Sequence, residues 1–161
     1  MSEIEDPHPE LDLSVQELIY AGLEAVEAAI SIDLCAYLHV SGDFGPQLFL
    51  SSPNLSNLSP AVAFDLFSGL RDALDWAALN ATEPGIEQTC VLAGYESVTV
   101  ATAGPISRGL FAVGRTARPL LDQERHVATR LCSALGNACH RLEAAVTSVR
   151  LQGVAEPPPS S

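Results

Sequence analysis

Ser97-Val98-Thr99-Val100-Ala101-Thr102, then Ala103-Gly104-Pro105-Ile106-Ser107, then Arg108-Gly109-Leu110-Phe111-Ala112-Val113-Gly114 is the stretch whose reading decides the fold. Its first part alternates in the two-residue rhythm of a half-buried strand. Its middle supplies turn chemistry, and its last part is a second apolar segment of strand length. Together they predict a hairpin through the middle of a sheet. Arg118-Pro119-Leu120-Leu121 follows, and then Asp122, whose carboxylate suits a helix N-cap. Beyond it Val127, Leu131, Leu135, Ala138, Leu142, Ala145 and Val149 recur at spacings of 4, 4, 3, 4, 3 and 4. So narrow a stripe is the kind used for helix pairing. It predicts a long closing helix, and it offers Val127, Leu131, Leu135 and Leu142 as a dimer interface.

The chain upstream supplies matching elements. Residues 1–11 carry acids and two prolines and read as a disordered lead. Ser14-Val15-Gln16-Glu17 matches a capping box, with Leu13 and Leu18 placed as a staple. The helix it opens runs to about Ile30, with Val15, Ile19, Leu23, Val26 and Ile30 as its apolar stripe and the closing helix as its natural partner. Leu34 to Val40 reads as a strand. Leu34, Ala36, Leu38 and Val40 point one way, and Cys35, Tyr37 and His39 the other. A turn at 41–46 leads to a second strand, Gln47 to Ser51. Ser59-Pro60 opens a middle helix to about Leu79, with proline at a position where its missing N–H costs nothing. Val62, Phe64, Leu66, Phe67, Leu70, Leu74 and Trp76 make that helix apolar over a wide arc. Glu87 to Ala93 is a third strand, broken by Gly94, and residues 151–161 form a Pro/Ser-rich disordered tail.

The predicted class is α+β: a mostly antiparallel sheet of five or six strands, with the N- and C-terminal helices on one face and the middle helix on the other. Hairpin, short loop, acidic cap and long closing helix together resemble the end of a GAF domain. Gly109-Leu110-Phe111-Ala112-Val113-Gly114 looks like that family's last core strand, and Leu121-Asp122-Gln123-Glu124-Arg125 like the start of its closing helix. The resemblance covers roughly residues 12–150, taken as one GAF-like domain. It implies a sensory or regulatory module whose small-molecule ligand lies between the sheet and the middle helix. The cyclic-nucleotide signature of the N-K-x-F-D-E type is absent, and no Cys-His pair follows the middle helix for bilin attachment.

Composition narrows the function. Net charge is −12, with eleven acids and no base before Arg71, and six arginines against three acids from Arg115 to Arg150. Overall acidity argues against a nucleic-acid partner, and the asymmetry suits an acidic first helix lying beside a more basic last one. No apolar run is long enough to span a membrane, and the N-terminus lacks a signal-peptide core, so a cytoplasmic location is expected. The sequons at Asn54, Asn57 and Asn80 are then chance matches. Cys35, Cys90, Cys132 and Cys139 read as reduced, small buried hydrophobes.

No nucleophile elbow, phosphate loop or H-E-x-x-H motif appears, so no catalytic residue is assigned. Tyr37, His39, Phe64, Phe67, Trp76 and Thr99 are the candidate ligand-binding residues, with burial in a plain core as the competing reading. No metal ligand set shows at a recognisable spacing, since Cys139 and His140 are adjacent on a helix and point apart. No cofactor is assigned. The expected function is a non-catalytic module that binds a small molecule and signals through a homodimer, formed by the terminal helices, or through a regulatory protein partner. The alternatives are a pure interaction domain with a filled core, and a thiol redox protein built on Cys90.

Overall fold

The computed structural model describes residues 11–41, 45–51, 58–80, 87–92, 94–116 and 118–155, and at 78–80, 87–90 and 151–155 only the backbone. The expectations for residues 1–10 of the lead, 156–161 of the tail, the sequons and the Cys90 thiol lie outside the described residues.

In chain order the elements are α1 (Leu13–Ala29), β1 (Leu34–Ser41), β2 (Gln47–Leu50), α2 (Pro60–Asn80), β3 (Glu87–Leu92), β4 (Tyr95–Ala103), β5 (Ser107–Arg115) and α3 (Asp122–Ala155). The described strands form one five-stranded sheet in the order β2-β1-β5-β4-β3, with every ladder antiparallel. The hairpin at 97–114 is its centre: β5 pairs with β4 on one side and β1 on the other. At the β3–β4 turn Gly94 has φ 88°, a backbone that side-chain-bearing residues rarely adopt.

Alternation along the strands divides the core in two. Cys35, Tyr37, Val98, Val100, Phe111 and Val113 meet Val15, Ile19, Leu23 and Val26 of α1 and Ala128, Cys132 and Cys139 of α3. Leu34, Ala36, Leu38, Leu110 and Ala112 meet Leu66, Leu70 and Leu74 of α2. The terminal helices therefore cover one face and the middle helix the other, as expected.

Three details differ from the sequence reading. The cap of α1 is Asp12, whose carboxylate accepts from the Ser14 amide at 2.9 Å, so the Ser14 capping box is not used. Leu11, assigned to the lead, is buried in the core. At α3, the Leu121 carbonyl accepts the first helical bond, from the Arg125 amide, and Glu124 reaches back to the Leu121 amide at 2.9 Å. Leu121 thus sits at the cap position, and Asp122 is the first helical residue, where its charge favours the amide end of the helix.

The stripe on α3 is spent inside the chain. Val127, Leu131, Leu135 and Leu142 are half-buried and packed against the core cluster that α1 shares. Leu135 lies over Gly22 of α1, and Arg150 pairs with Asp12 at 2.7 Å, so the two helices run antiparallel. These four residues read the seam between α1 and α3, and the chain itself covers much of the surface proposed for a second copy. The face of α3 toward the sheet is different: Ala128, Cys132, Gly136, Cys139, His140 and Glu143 are its buried residues. Among the described residues no helix is long and apolar enough to cross a membrane.

Candidate functional site

The distinctive feature beneath α3 is a knot of buried polar side chains. β1 alternation turns Tyr37 and His39 toward the terminal helices, where both are at most 1% exposed. β4 contributes Thr102 and β5 its first residue, Ser107. From α3 come His140 and Glu143, three apart and therefore on one helix face. A Cβ at Gly109 would collide with the Tyr37 ring, so glycine on β5 is what admits the phenol end.

The contacts chain together. The Tyr37 hydroxyl lies 2.9 Å from His39 Nδ1 and 3.5 Å from His140 Nε2. His39 Nε2 meets Glu143 Oε1 at 3.0 Å. Thr102 Oγ1 is 2.9 Å from His140 Nε2, and Ser107 Oγ is 2.7 Å from His140 Nδ1. The imidazoles of His39 and His140 stack with centroids 5.5 Å apart.

Electrostatics orders the protons. Burial alone would raise the Glu143 carboxyl. The hydrogen bonds from His39 and Ser107 outweigh it and hold the group below its ordinary value. Burial, reinforced by the neighbouring His39, lowers His140 to about 4, so its ring is neutral at neutral pH. Burial, then the nearby Cys139, raises Tyr37, which stays a phenol. One self-consistent arrangement follows. Tyr37 donates to His39 Nδ1, and His39 Nε2 donates to Glu143. Ser107 donates to Glu143 and accepts from His140 Nδ1, while Thr102 donates to His140 Nε2. A buried polar network is stable when every member is satisfied in this way.

This knot reaches the surface. Between the end of β1 and the β4–β5 turn lies a depression of about 410 Å3, lined in part by Ser41, Gly104, Ile106, Ser107 and Arg108. Ser107 belongs to both, touching His140 on its inner side and lining the depression on its outer side.

The six residues expected to bind ligand do not converge. Tyr37 and His39 lie under the terminal helices, whereas Phe67, on α2, packs against the opposite face of the sheet. Thr99 follows Val98 and precedes Val100, so its buried side chain is on the α2 side too. Phe64 and Trp76 are 69% and 47% exposed, on the outside of α2. The sheet separates the two groups, because β1 alternation sends the polar pair away from the middle helix. Sequence reasoning missed Thr102, Ser107, His140 and Glu143. The available signal was His140-x-x-Glu143, a helical i, i+3 pair of metal-ligand types lying off the apolar stripe.

The described thiols show no reactive character. Cys35, Cys132 and Cys139 are free and buried. Burial raises all three, Cys132 and Cys139 to about 12. Comparison with protein-family models, with curated proteins and with solved structures found no match to this chain.

Proposed function

We propose that the chain is a non-catalytic regulatory module of GAF-like build. It responds to a small polar molecule bound at the turn end of the β4–β5 hairpin, beside the end of β1, and it signals through a second copy or a partner protein. One observation carries this reading: Ser107 joins the depression to a buried, charge-bearing network that ties α3 to the sheet. A ligand touching Ser107 would redirect its hydroxyl and so reach His140 and Glu143, on the helix that closes the fold. Arg108 in the lining offers a planar guanidinium, which favours a carboxylate or phosphate on the ligand. The Ser107–His140 contact supports binding over hydrolysis. An imidazole with a pKa of about 4 is a poor general base at neutral pH, where efficient catalysis needs a base titrating near the working pH.

The test is a thermal-shift screen of small anionic metabolites in the presence of EDTA. A ligand at about 100 times its Kd adds about 2.7 kcal/mol to stability, a readily visible rise in Tm. Arg108→Ala should abolish the rise. An empty screen would sink the reading, and so would a stabiliser indifferent to Arg108→Ala.

A second reading, an interaction domain without ligand, draws on Phe64 and Trp76, large apolar groups exposed on α2. It predicts a dimer in light scattering that Phe64→Glu dissociates.

A further inference from the structure

His39, His140 and Glu143 each offer one ligand atom, and the three atoms lie within 4.8 Å of one another. We propose that they bind one divalent first-row transition cation of the zinc class, which pins α3 to β1. Two imidazoles and a carboxylate are an established donor set for such ions.

The surroundings fit as well as the donors. His39 Nε2 and Glu143 Oε1 are already 3.0 Å apart, close to the spacing of two ligands on one small cation. The remaining nitrogen of His39 is held by the Tyr37 hydroxyl. His140 has a hydroxyl at each nitrogen, so the cation displaces one of them and the other, from Thr102 or Ser107, stays as the outer partner. Outer partners of this kind orient metal-binding imidazoles. Hydroxyls also donate or accept by rotating. When the cation takes His39 Nε2, the ring proton moves to Nδ1 and the Tyr37 oxygen accepts it, so the outer hydrogen bond survives with reversed direction. The clustered ligand atoms come from His39, His140 and Glu143 and not from Cys139, which leaves the donor set as nitrogen and oxygen. Three protein ligands leave a zinc-class ion an open position, and Ser107 connects the cluster to the depression as a route of access. The site does not depend on the small-molecule reading, because it is tested without any organic ligand.

The experiment uses the full chain stripped with EDTA, titrated with Zn2+ by calorimetry and with Co2+ by visible absorption. Expected are one equivalent bound, cobalt d–d bands without a thiolate charge-transfer band, and a Tm that rises with added Zn2+. Glu143→Gln and His140→Asn should weaken binding by about 100-fold or more. Tyr37→Phe, which keeps the ring in place, should weaken it about 10-fold, the size of an outer-partner effect. Cys139→Ser should bind as the unaltered chain does. The proposal is overturned by no stoichiometric binding, by a thiolate band, or by Glu143→Gln binding unchanged. Should the ligand variants fail to fold, the cobalt spectrum of the unaltered chain and the Tyr37→Phe affinity decide alone.

Discussion

The two faces of the sheet are built from the same strands and have opposite character. Under α2 the contact is leucine on leucine: Leu66, Leu70 and Leu74 against Leu34, Leu38 and Leu110. Under α3 the helix meets the sheet with small and polar residues, and a network of six polar side chains takes the place of part of the greasy core. The large residues of α3 are displaced sideways into the seam with α1. The difference teaches that helix periodicity reports where bulk is packed. Where a helix approaches a sheet closely, bulk is excluded: a Cβ at Gly136 would strike Thr102, and one at Gly104 would strike His140. The face that holds the polar knot is then the face with the weaker apolar signal.

The contrast can be broken by mutation. On the α2 face, Leu70→Ala should cost the most, roughly 3 kcal/mol from lost burial and a residual cavity. Denaturant melts should show that loss to be the same at pH 5 and pH 8, because no titrating group shares the site. An equal loss at both pH values from a substitution inside the polar knot would erase the distinction between the faces.

Acid should act on the α3 face alone. His140 has a folded pKa of about 4 against an ordinary 6.5, so below pH 6.5 the unfolded chain binds a proton that the folded chain refuses. The stability it confers is fully present above about pH 6.5 and is lost on descending to about pH 4, a fall on the order of 3 kcal/mol. Glu143, also depressed, extends the loss to lower pH as it too is protonated. In EDTA, His140→Gln should flatten the slope between pH 6.5 and pH 4, and a slope that persists would assign the acid sensitivity elsewhere.

Smaller effects sharpen the picture. Tyr37→Phe removes the hydroxyl between the two histidines and should cost about 1–2 kcal/mol, since a buried nitrogen loses its partner while packing is kept. Asp12→Ala removes the cap of α1 and the pairing with Arg150, and should lower the urea midpoint only slightly. A neutral result there would mean that the buried Leu11 alone anchors the helix start.

Much of the framework was legible because it depends on local chemistry. Alternation placed Tyr37 and His39 together and opposite Leu34 and Leu38, and the structure agrees. The Ser59-Pro60 start of the middle helix is real: the Ser59 hydroxyl accepts from the Val62 amide at 3.2 Å. The α1 stripe from Val15 to Ile30 is buried throughout. The misreadings share a cause. The caps of α1 and α3 slipped to Asp12 and Leu121 because several neighbouring residues can cap a helix, and docking of the helix selects among them.

By itself, then, the sequence determined the order of elements, the central hairpin and the two faces of β1, because periods of two and 3.6 residues act within a single element. Only the tertiary structure decided that His39 meets His140 and Glu143, more than a hundred positions away, beside Thr102 and Ser107. That meeting requires β1, β4, β5 and α3 to dock in one register. No local periodicity records such a register, because it is set by how closely the small residues of α3 let the helix approach the sheet.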